Sequence, residues 1–185
     1  MHIVQPITLV ATSAVGIVTM MSYIITSIAV RKQMTHDRVT YAIMAGGRVV
    51  HEARTACLML DYRERTYFVG TKPTSLTSAQ VCHSLRIPAV SQTTLELDRK
   101  DEYIRDAFDD LLYRLNVVGL ELEAKVYRWD DVVRFLGYYI DLMRRQPFFP
   151  VIADFANEYG YKTVAEIIRD DTRFEVPQNM RRNRF

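Results

Sequence analysis

The chain has 185 residues, with 24 lysines and arginines against 22 acidic residues. The resulting net charge of +2 gives no electrostatic footprint for nucleic acid, so nucleic acid is not an expected partner. The two cysteines, Cys57 and Cys82, lie far apart without a CxxC spacing, which excludes a disulfide framework and is typical of a protein in a reducing compartment.

The first element of the chain is an uncharged, predominantly apolar run from Ile7 to Val30. A transmembrane helix needs about 20 such residues to cross a hydrocarbon core of about 30 Å, and this run would extend over about 36 Å as a helix. Hydroxyl side chains within it are tolerated because they can donate to the carbonyl one turn earlier. The run therefore predicts one N-terminal transmembrane helix, with membrane lipid as a partner.

A cleaved signal peptide is the alternative interpretation, because Ser27-Ile28-Ala29 resembles a small-x-small cleavage site. However, the apolar core of a signal peptide has about 7–15 residues and follows a basic segment. This run is longer, and no Lys or Arg precedes it. The sequence therefore favours an anchor that is not cleaved.

Basic residues follow the run, in a juxtamembrane segment of residues 31–38 that contains Arg31, Lys32 and Arg38. The positive-inside rule predicts a single-pass protein of the bacterial inner (plasma) membrane, with its N-terminus outside and its C-terminal domain in the cytoplasm. The three basic side chains are also candidate contacts for anionic lipid headgroups. The alternative is that they only fix the topology.

Small residues within the run form two pairs at a spacing of four, Thr12 with Gly16 and Ser22 with Thr26. Such a spacing lets a second transmembrane helix approach closely, so these four residues are candidates for a helix–helix contact in the membrane. The alternative is that small residues are simply common in transmembrane helices.

One helical cytoplasmic domain is predicted over residues 39–171. Apolar residues recur at three and four positions over residues 38–63, so this stretch predicts a helix that Asp37 would cap. Gly46-Gly47 would mark a bend or a close helix contact within it. The turn-rich stretch 67–77 predicts a loop.

The next helices are predicted at residues 78–86, behind a Thr77 cap, and from a cap at Thr93 or Asp98 to about residue 122. The second of these has a broad apolar stripe, which is typical of a helix that packs on a core. The stripe consists of Ile104, Phe108, Leu111, Leu115, Val118 and Leu122. A short connection then leads to a helix over 129–145, which favours an antiparallel pair.

The remaining helices are predicted at residues 150–159, where Gly160 would form the C-terminal cap, and at 164–169. Thr163 and Glu166 have the spacing of a capping box in front of the last one. Residues 172–185 form a basic tail. Because no strand alternation is evident, the predicted fold class is all-α, with five or six helices around one core.

The sequence predicts no catalytic, cofactor-binding or metal-binding site. His51-Glu52 begins like the zinc motif HExxH, but Thr55 stands where the second histidine is needed. Cys82 and His83 are adjacent, so they point in different directions on a helix and form no nucleophile–base pair. Glu-x-x-His motifs of the di-iron type are also absent from the sequence.

One stretch carries a resemblance to other proteins. It runs from Asp101-Glu102-Tyr103-Ile104 through Leu111-Leu112-x-x-Leu115-Asn116 to Gly119–Tyr127. Together with the order of the parts, it resembles an uncharacterised group of bacterial membrane proteins in which a single N-terminal span precedes a small helical cytoplasmic domain. The resemblance implies the architecture, and no activity or catalytic residue comes with it.

The predicted function is that of a non-enzymatic, membrane-anchored accessory or scaffolding subunit that docks on a larger inner-membrane complex. The expected partners are other membrane-protein subunits. The alternative is a membrane-tethered sensor or effector that self-associates as a homo-oligomer. A third interpretation is an enzyme with an unrecognised site, which a deep polar pocket around His51, Cys82 or His83 would favour.

Overall fold

The computed structural model describes residues 4–61, 66–69, 72–87, 97–169 and 174–177, with residues 4–18, 66–69 and 72–75 described by their backbone alone. The chain divides into two compact units, Met1–Thr40 and Tyr41–Phe185. The fold is helical, as the sequence predicts, with seven helices in the described ranges.

The first helix, α1, runs without interruption over Val4–Glu52. The predicted cap at Asp37 is therefore wrong, and the predicted juxtamembrane segment 31–38 is part of the same helix. The Asp37 carboxylate accepts a hydrogen bond from the Gln33 side chain at 2.8 Å, one turn earlier, so it stabilises the helix from its surface. Arg, Lys, Gln and Met are strong helix formers, so their presence in residues 31–34 explains why α1 continues.

The second helix, α2, covers Arg54–Asp61 and follows α1 after a single turn residue, Ala53. Helical hydrogen bonding persists across this residue, since the Ala53 N–H donates to the Val49 carbonyl at 2.9 Å and the Cys57 N–H donates to the Ala53 carbonyl at 3.1 Å. The predicted helix 38–63 is thus the end of α1 followed by α2.

A β-hairpin occupies the stretch that was predicted to be a loop. Its strands, β1 (Thr66–Val69) and β2 (Lys72–Ser75), pair antiparallel with Thr66 opposite Ser75. The strand TYFV is rich in β-branched and aromatic residues, which favour strands. The second strand was not predicted because it contains Pro73, and proline is rare in strands. An edge strand nevertheless tolerates proline.

The next two helices, α3 (Ser78–Ser84) and α4 (Arg99–Glu123), confirm their predicted caps. Thr77 and Gln80 form a reciprocal capping box at the start of α3. The Asp98 side chain accepts from two backbone N–H groups at the start of α4, each at 2.8 Å. These bonds favour the ionised carboxylate, so they lower the pKa of Asp98. Asp98 is thus the alternative of the two predicted caps, and the first of them, the capping box at Thr93, lies outside the described residues.

The core forms around α4. Its predicted apolar stripe is buried from Ile104 to Val118, and Leu122 packs partly buried at the edge. The fifth helix, α5, covers Trp129–Arg144 as predicted. The packing of α4 involves α3, α7 (Lys162–Ile168) and α2, and both α2 and α7 also contact α5.

The sixth helix, α6, covers Phe149–Glu158 and has Pro150 in its first turn, as predicted. Gly160 ends it with a positive φ of 79°, and the N–H of Tyr161 donates to the Ala156 carbonyl at 2.8 Å, which is the main bond of a Schellman motif. In α7, the predicted capping box at Thr163 is wrong. Thr163 lies inside that helix, buried, and its hydroxyl hydrogen-bonds to Glu123 at 3.2 Å.

Replacing Lys125 with glycine is expected to stabilise the protein by about 0.5–1 kcal/mol. Lys125 follows the end of α4 with a φ of 59°, a conformation that favours glycine, and its N–H donates to the Leu122 carbonyl at 3.0 Å. Thermal unfolding of the full chain measures the effect. The matched control is Gly160→Ala, which should destabilise the protein by a similar amount. A lower unfolding temperature for Lys125→Gly would contradict this expectation.

The adjacent glycines of α1 are expected to respond in opposite directions to alanine. A Cβ atom on Gly46 would lie 2.7 Å from the Phe135 Cβ on α5, whereas one on Gly47 would meet nothing within 4 Å. The close-contact interpretation of the glycine pair is therefore confirmed for Gly46. We expect Gly46→Ala to destabilise the protein by about 1 kcal/mol and Gly47→Ala to stabilise it by a similar amount. Unfolding curves of both variants with the same sign would contradict this.

Candidate functional site

A groove of about 370 Å³ lies between the C-terminal part of α1, α2 and α5. Its size falls within the range of small-molecule sites, about 300–1,000 Å³. The lining is mainly apolar, with two polar side chains at His51 and Arg54. The full lining consists of Gly47, Val50, His51, Arg54, Cys57, Leu58 and Tyr139.

The two polar side chains of the groove are exposed, and neither makes a hydrogen bond or ion pair with another side chain in the described part of the chain. The neighbouring carboxylate, Glu52, is bound to Arg114 at 2.8 Å. Among the described residues that line the groove, there is no acidic side chain. The groove around His51 is thus mainly apolar and differs from the deep polar pocket that the enzyme interpretation expected.

Cys57 forms part of the groove wall and is buried. Burial disfavours the charged thiolate and, with a smaller contribution from nearby Asp61, raises the pKa of the thiol to about 12. The thiolate is the nucleophilic form of cysteine. The Cys57 thiol is therefore neutral at neutral pH and contributes apolar surface to the groove wall.

His83 lies beside a buried carboxylate, with its Nε2 atom 3.5 Å from Asp101 Oδ2. The other oxygen of Asp101 accepts from the Ser84 hydroxyl at 2.7 Å. The carboxylate thus lies between the serine and the histidine. In a catalytic triad the histidine lies between them, because it must take the serine proton. The three side chains join the end of α3 to the start of α4 and do not activate a nucleophile.

Arg105 extends this network to α6. Its guanidinium donates to the Ser84 carbonyl at 3.0 Å and to the Tyr159 hydroxyl, and it lies 4.9 Å from the centre of the Phe155 ring. A guanidinium over an aromatic face gains cation–π stabilisation. The network of Ser84, Asp101 and Arg105 holds three helices together, and we assign it a structural role.

The predicted contact residues of the first unit are only partly described. Thr12 and Gly16 lie in the part of α1 that is described by its backbone alone. Ser22 and Thr26 are exposed, and the Thr26 hydroxyl donates to the Ser22 carbonyl at 2.8 Å, as predicted for a hydroxyl within an apolar helix. Their role in a helix–helix contact stays a prediction.

Large apolar side chains of the first unit are exposed along α1. Met20 is 67% exposed and Ile25 is also 67% exposed, although both are apolar. The exposed set consists of Met20, Met21, Tyr23, Ile24, Ile25, Ile28, Val30, Met34 and Val39. Contiguous exposed apolar surface marks a contact with a protein or a lipid. Within the described residues, no helix meets the length and apolarity needed to cross a membrane.

The predicted headgroup contacts follow on α1. Arg31 and Lys32 are exposed, whereas Arg38 is half-buried. The backbone carbonyl of Arg31 accepts a hydrogen bond from the Thr35 hydroxyl at 2.9 Å, and the Arg31 guanidinium takes no part in this bond. Their contact with lipid headgroups stays a prediction.

Two pairs of adjacent aspartates, Asp109-Asp110 and Asp130-Asp131, lie within helices. The carboxylate of Asp109 accepts from the Tyr161 hydroxyl at 2.9 Å, and Asp131 accepts from the Arg128 N–H at 3.0 Å in the first turn of α5. Carboxylates in a first turn complement the helix dipole. Across the described residues, no cluster of three His, Cys, Asp or Glu side chains has the arrangement of a metal site.

Sequence analysis missed the groove, although a signal for it exists. Gly47, His51, Arg54 and Leu58 recur at i, i+4, i+7 and i+11, so they share one helix face. Two of the four are polar and one has no side chain, and therefore this face does not look like a core stripe. Tyr139 comes from α5, and only the tertiary structure brings it to the groove.

Comparison of the chain with protein-family models, with curated proteins and with solved structures finds no match in any of the three. The resemblance to bacterial single-span proteins therefore stays a prediction.

Proposed function

We propose that the chain is a non-enzymatic, single-pass membrane protein whose helical domain serves as an accessory or scaffolding subunit of a larger membrane-protein complex. In this proposal residues 7–30 form the anchor, and the positive-inside rule applied to the basic residues after it supports a cytoplasmic domain. The observation that carries the proposal is the set of exposed apolar side chains of α1 within this uncharged run, from Met20 to Val30.

The exposed side chains support a lipid contact because water does not solvate them well. Met20, Met21, Ile24, Ile25 and Ile28 lie within the run and are each at least 45% exposed. Burial of apolar surface stabilises by about 25 cal/mol per Å². Insertion of this surface into a hydrocarbon core would therefore be strongly favoured, and the charged residues begin only at Arg31.

The second unit supports a binding role over a catalytic one. Of the side chains that were considered for catalysis, Glu52 is bound to Arg114 at 2.8 Å, and His83 Nε2 lies 3.5 Å from the Asp101 carboxylate. The same unit exposes several large apolar side chains that a protein partner would cover. They are Tyr41, Ile43, Met44, Tyr113, Leu120, Val126, Phe135 and Tyr159.

Extraction in a mild detergent, followed by native-size separation and mass spectrometry, tests the subunit proposal. We expect the chain to migrate with a defined set of membrane proteins. A matched variant replaces residues 7–30 with an unrelated transmembrane helix. If the helical domain makes the contact, this variant will migrate with the same proteins.

Migration as a monomer would contradict the subunit proposal. Migration as a homo-oligomer would contradict it as well and would favour the self-associating sensor or effector. In that case Gly16→Ile, which adds bulk to the predicted small-residue contact, should dissociate the oligomer. A Val18→Ile variant, which adds one methylene group to a neighbouring apolar position, is the control and should leave it intact.

A further inference from the structure

We propose that the groove between α1, α2 and α5 binds a single alkyl chain that ends in an anionic group, such as a fatty acid or one chain of an anionic phospholipid. This inference is independent of the subunit proposal, since the whole groove lies within the unit Tyr41–Phe185. The groove has a volume of about 370 Å³.

The wall of the groove matches an alkyl chain. Val50, Cys57, Leu58 and Tyr139 provide apolar surface from three helices. Because the Cys57 thiol is neutral, it adds to the apolar surface of this wall. An alkyl chain that enters the groove would exchange contact with water for contact with apolar surface. This transfer favours binding by about 0.8 kcal/mol for each buried CH₂ group.

The polar side chains of the groove match an anionic head. Arg54 carries a permanent positive charge with five N–H donors, and the His51 ring can donate from a nitrogen. Hydrogen bonds from a guanidinium to a carboxylate or a phosphate are charge-assisted and therefore strong. The nearest acidic side chains are engaged elsewhere, since Glu52 binds Arg114 and Asp61 accepts from the Tyr138 hydroxyl.

Gly47 keeps part of the groove open. A Cβ atom built there meets nothing within 4 Å, although Gly47 is a lining residue. Glycine in a helix interior costs about 1 kcal/mol relative to alanine. The Cβ atom of a larger residue would therefore fit without displacing protein atoms, and its longer side chain would extend from the groove wall, which makes Gly47→Leu a block of the groove.

Photo-crosslinking of the full chain in phosphatidylcholine nanodiscs tests the proposal. The probe is dodecanoic acid with a diazirine on its alkyl chain, and the labelled residues are located by peptide mass spectrometry. We expect saturable labelling of residues 50–58 and of the segment around Tyr139. Unlabelled dodecanoate should compete for these sites, whereas dodecanol should compete at least about tenfold less well because it lacks the charge.

Variants test the groove directly. Arg54→Gln should raise the probe concentration for half-maximal labelling about tenfold, because one charge-assisted hydrogen bond is lost. Gly47→Leu should abolish labelling of residues 50–58. Arg134→Gln removes an exposed arginine elsewhere on α5 and should leave the labelling unchanged. Thermal unfolding of each variant shows that it is folded.

The outcomes separate clearly. Labelling of residues 50–58 that does not saturate, that dodecanol prevents equally well, or that persists in folded Gly47→Leu would overturn the proposal. If phosphatidylglycerol in the nanodisc suppresses the labelling, the bound chain comes from an anionic lipid. If only free dodecanoate suppresses it, the ligand is a free fatty acid, and both of these results support the proposed chemistry.

Discussion

Replacing Arg144 with methionine is expected to destabilise the helical domain by about 3 kcal/mol. The guanidinium of Arg144, on α5, donates to the carbonyls of Ile167 and Ile168 at 2.7 and 2.9 Å and to those of Arg169 and Phe174 at 3.0 and 3.3 Å. These carbonyls lie at and beyond the C-terminus of α7. The last carbonyls of a helix have no partner within it, and a positive charge there also complements the helix dipole.

Methionine retains much of the aliphatic volume of arginine, so the variant isolates the loss of the hydrogen bonds. Urea unfolding of the full chain in a mild sugar detergent measures the change in the free energy of unfolding. Arg144→Lys should recover only part of the loss, because an ammonium group keeps the charge without the planar fork of donors.

The control for this prediction is the adjacent arginine. Arg145 is largely exposed and makes an ion pair with Asp141 at 2.5 Å within the same helix. The arginine is 53% exposed and the aspartate 16%, and ion pairs at i,i+4 on a helix contribute about 0.3–0.5 kcal/mol. Arg145→Met should therefore change the stability by less than about 0.5 kcal/mol. Equal effects of the two substitutions would contradict the assignment of Arg144 as the cap of α7.

Replacing Gly119 with alanine is expected to destabilise the protein by about 2 kcal/mol. A Cβ atom on Gly119 would lie 2.8 Å from Thr163 Cβ and closer still to its methyl group, at the contact between α4 and α7. The two helices would have to separate, at a cost that exceeds the gain of about 1 kcal/mol from the higher helix propensity of alanine. Urea unfolding under the same conditions measures this effect.

A second substitution tests the physical reason. Thr163→Ser removes the methyl group that alanine at position 119 would meet, while it retains the hydroxyl that bonds to Glu123 at 3.2 Å. The double variant should therefore be more stable than the sum of the two single effects by about 1 kcal/mol. Strict additivity would mean that the two helices do not approach each other as closely as described.

Local patterns explain which elements the sequence predicted correctly. The apolar stripe of α4 and the caps at Thr77 and Asp98 depend on residues within one or two turns, and the structure confirms them. The prediction of a cap at Asp37 was wrong because a residue type that often caps helices also occurs inside them when its neighbours are strong helix formers. The capping box predicted at Thr163 was wrong for a different reason, because the Thr163 hydroxyl hydrogen-bonds to Glu123 on another helix.

Contacts between distant residues were beyond sequence analysis. Arg144 reaches carbonyls more than twenty positions later in the chain, and Tyr139 joins Gly47 in the groove. No periodicity encodes such pairs. The hairpin was missed because its strands have four residues each and one of them contains Pro73. The membrane contacts predicted for Thr12, Gly16, Ser22 and Thr26 stay predictions.

Membrane fractionation tests the central claim most directly. The full chain and a variant that lacks residues 1–30 are expressed in bacteria, and the membranes are washed with alkaline carbonate and then treated with detergent. The full chain should remain in the carbonate-washed membranes and enter solution only with detergent, whereas the variant should not sediment with the membranes. Release of the full chain by carbonate alone, or its recovery in the soluble fraction, would contradict a transmembrane anchor at residues 7–30.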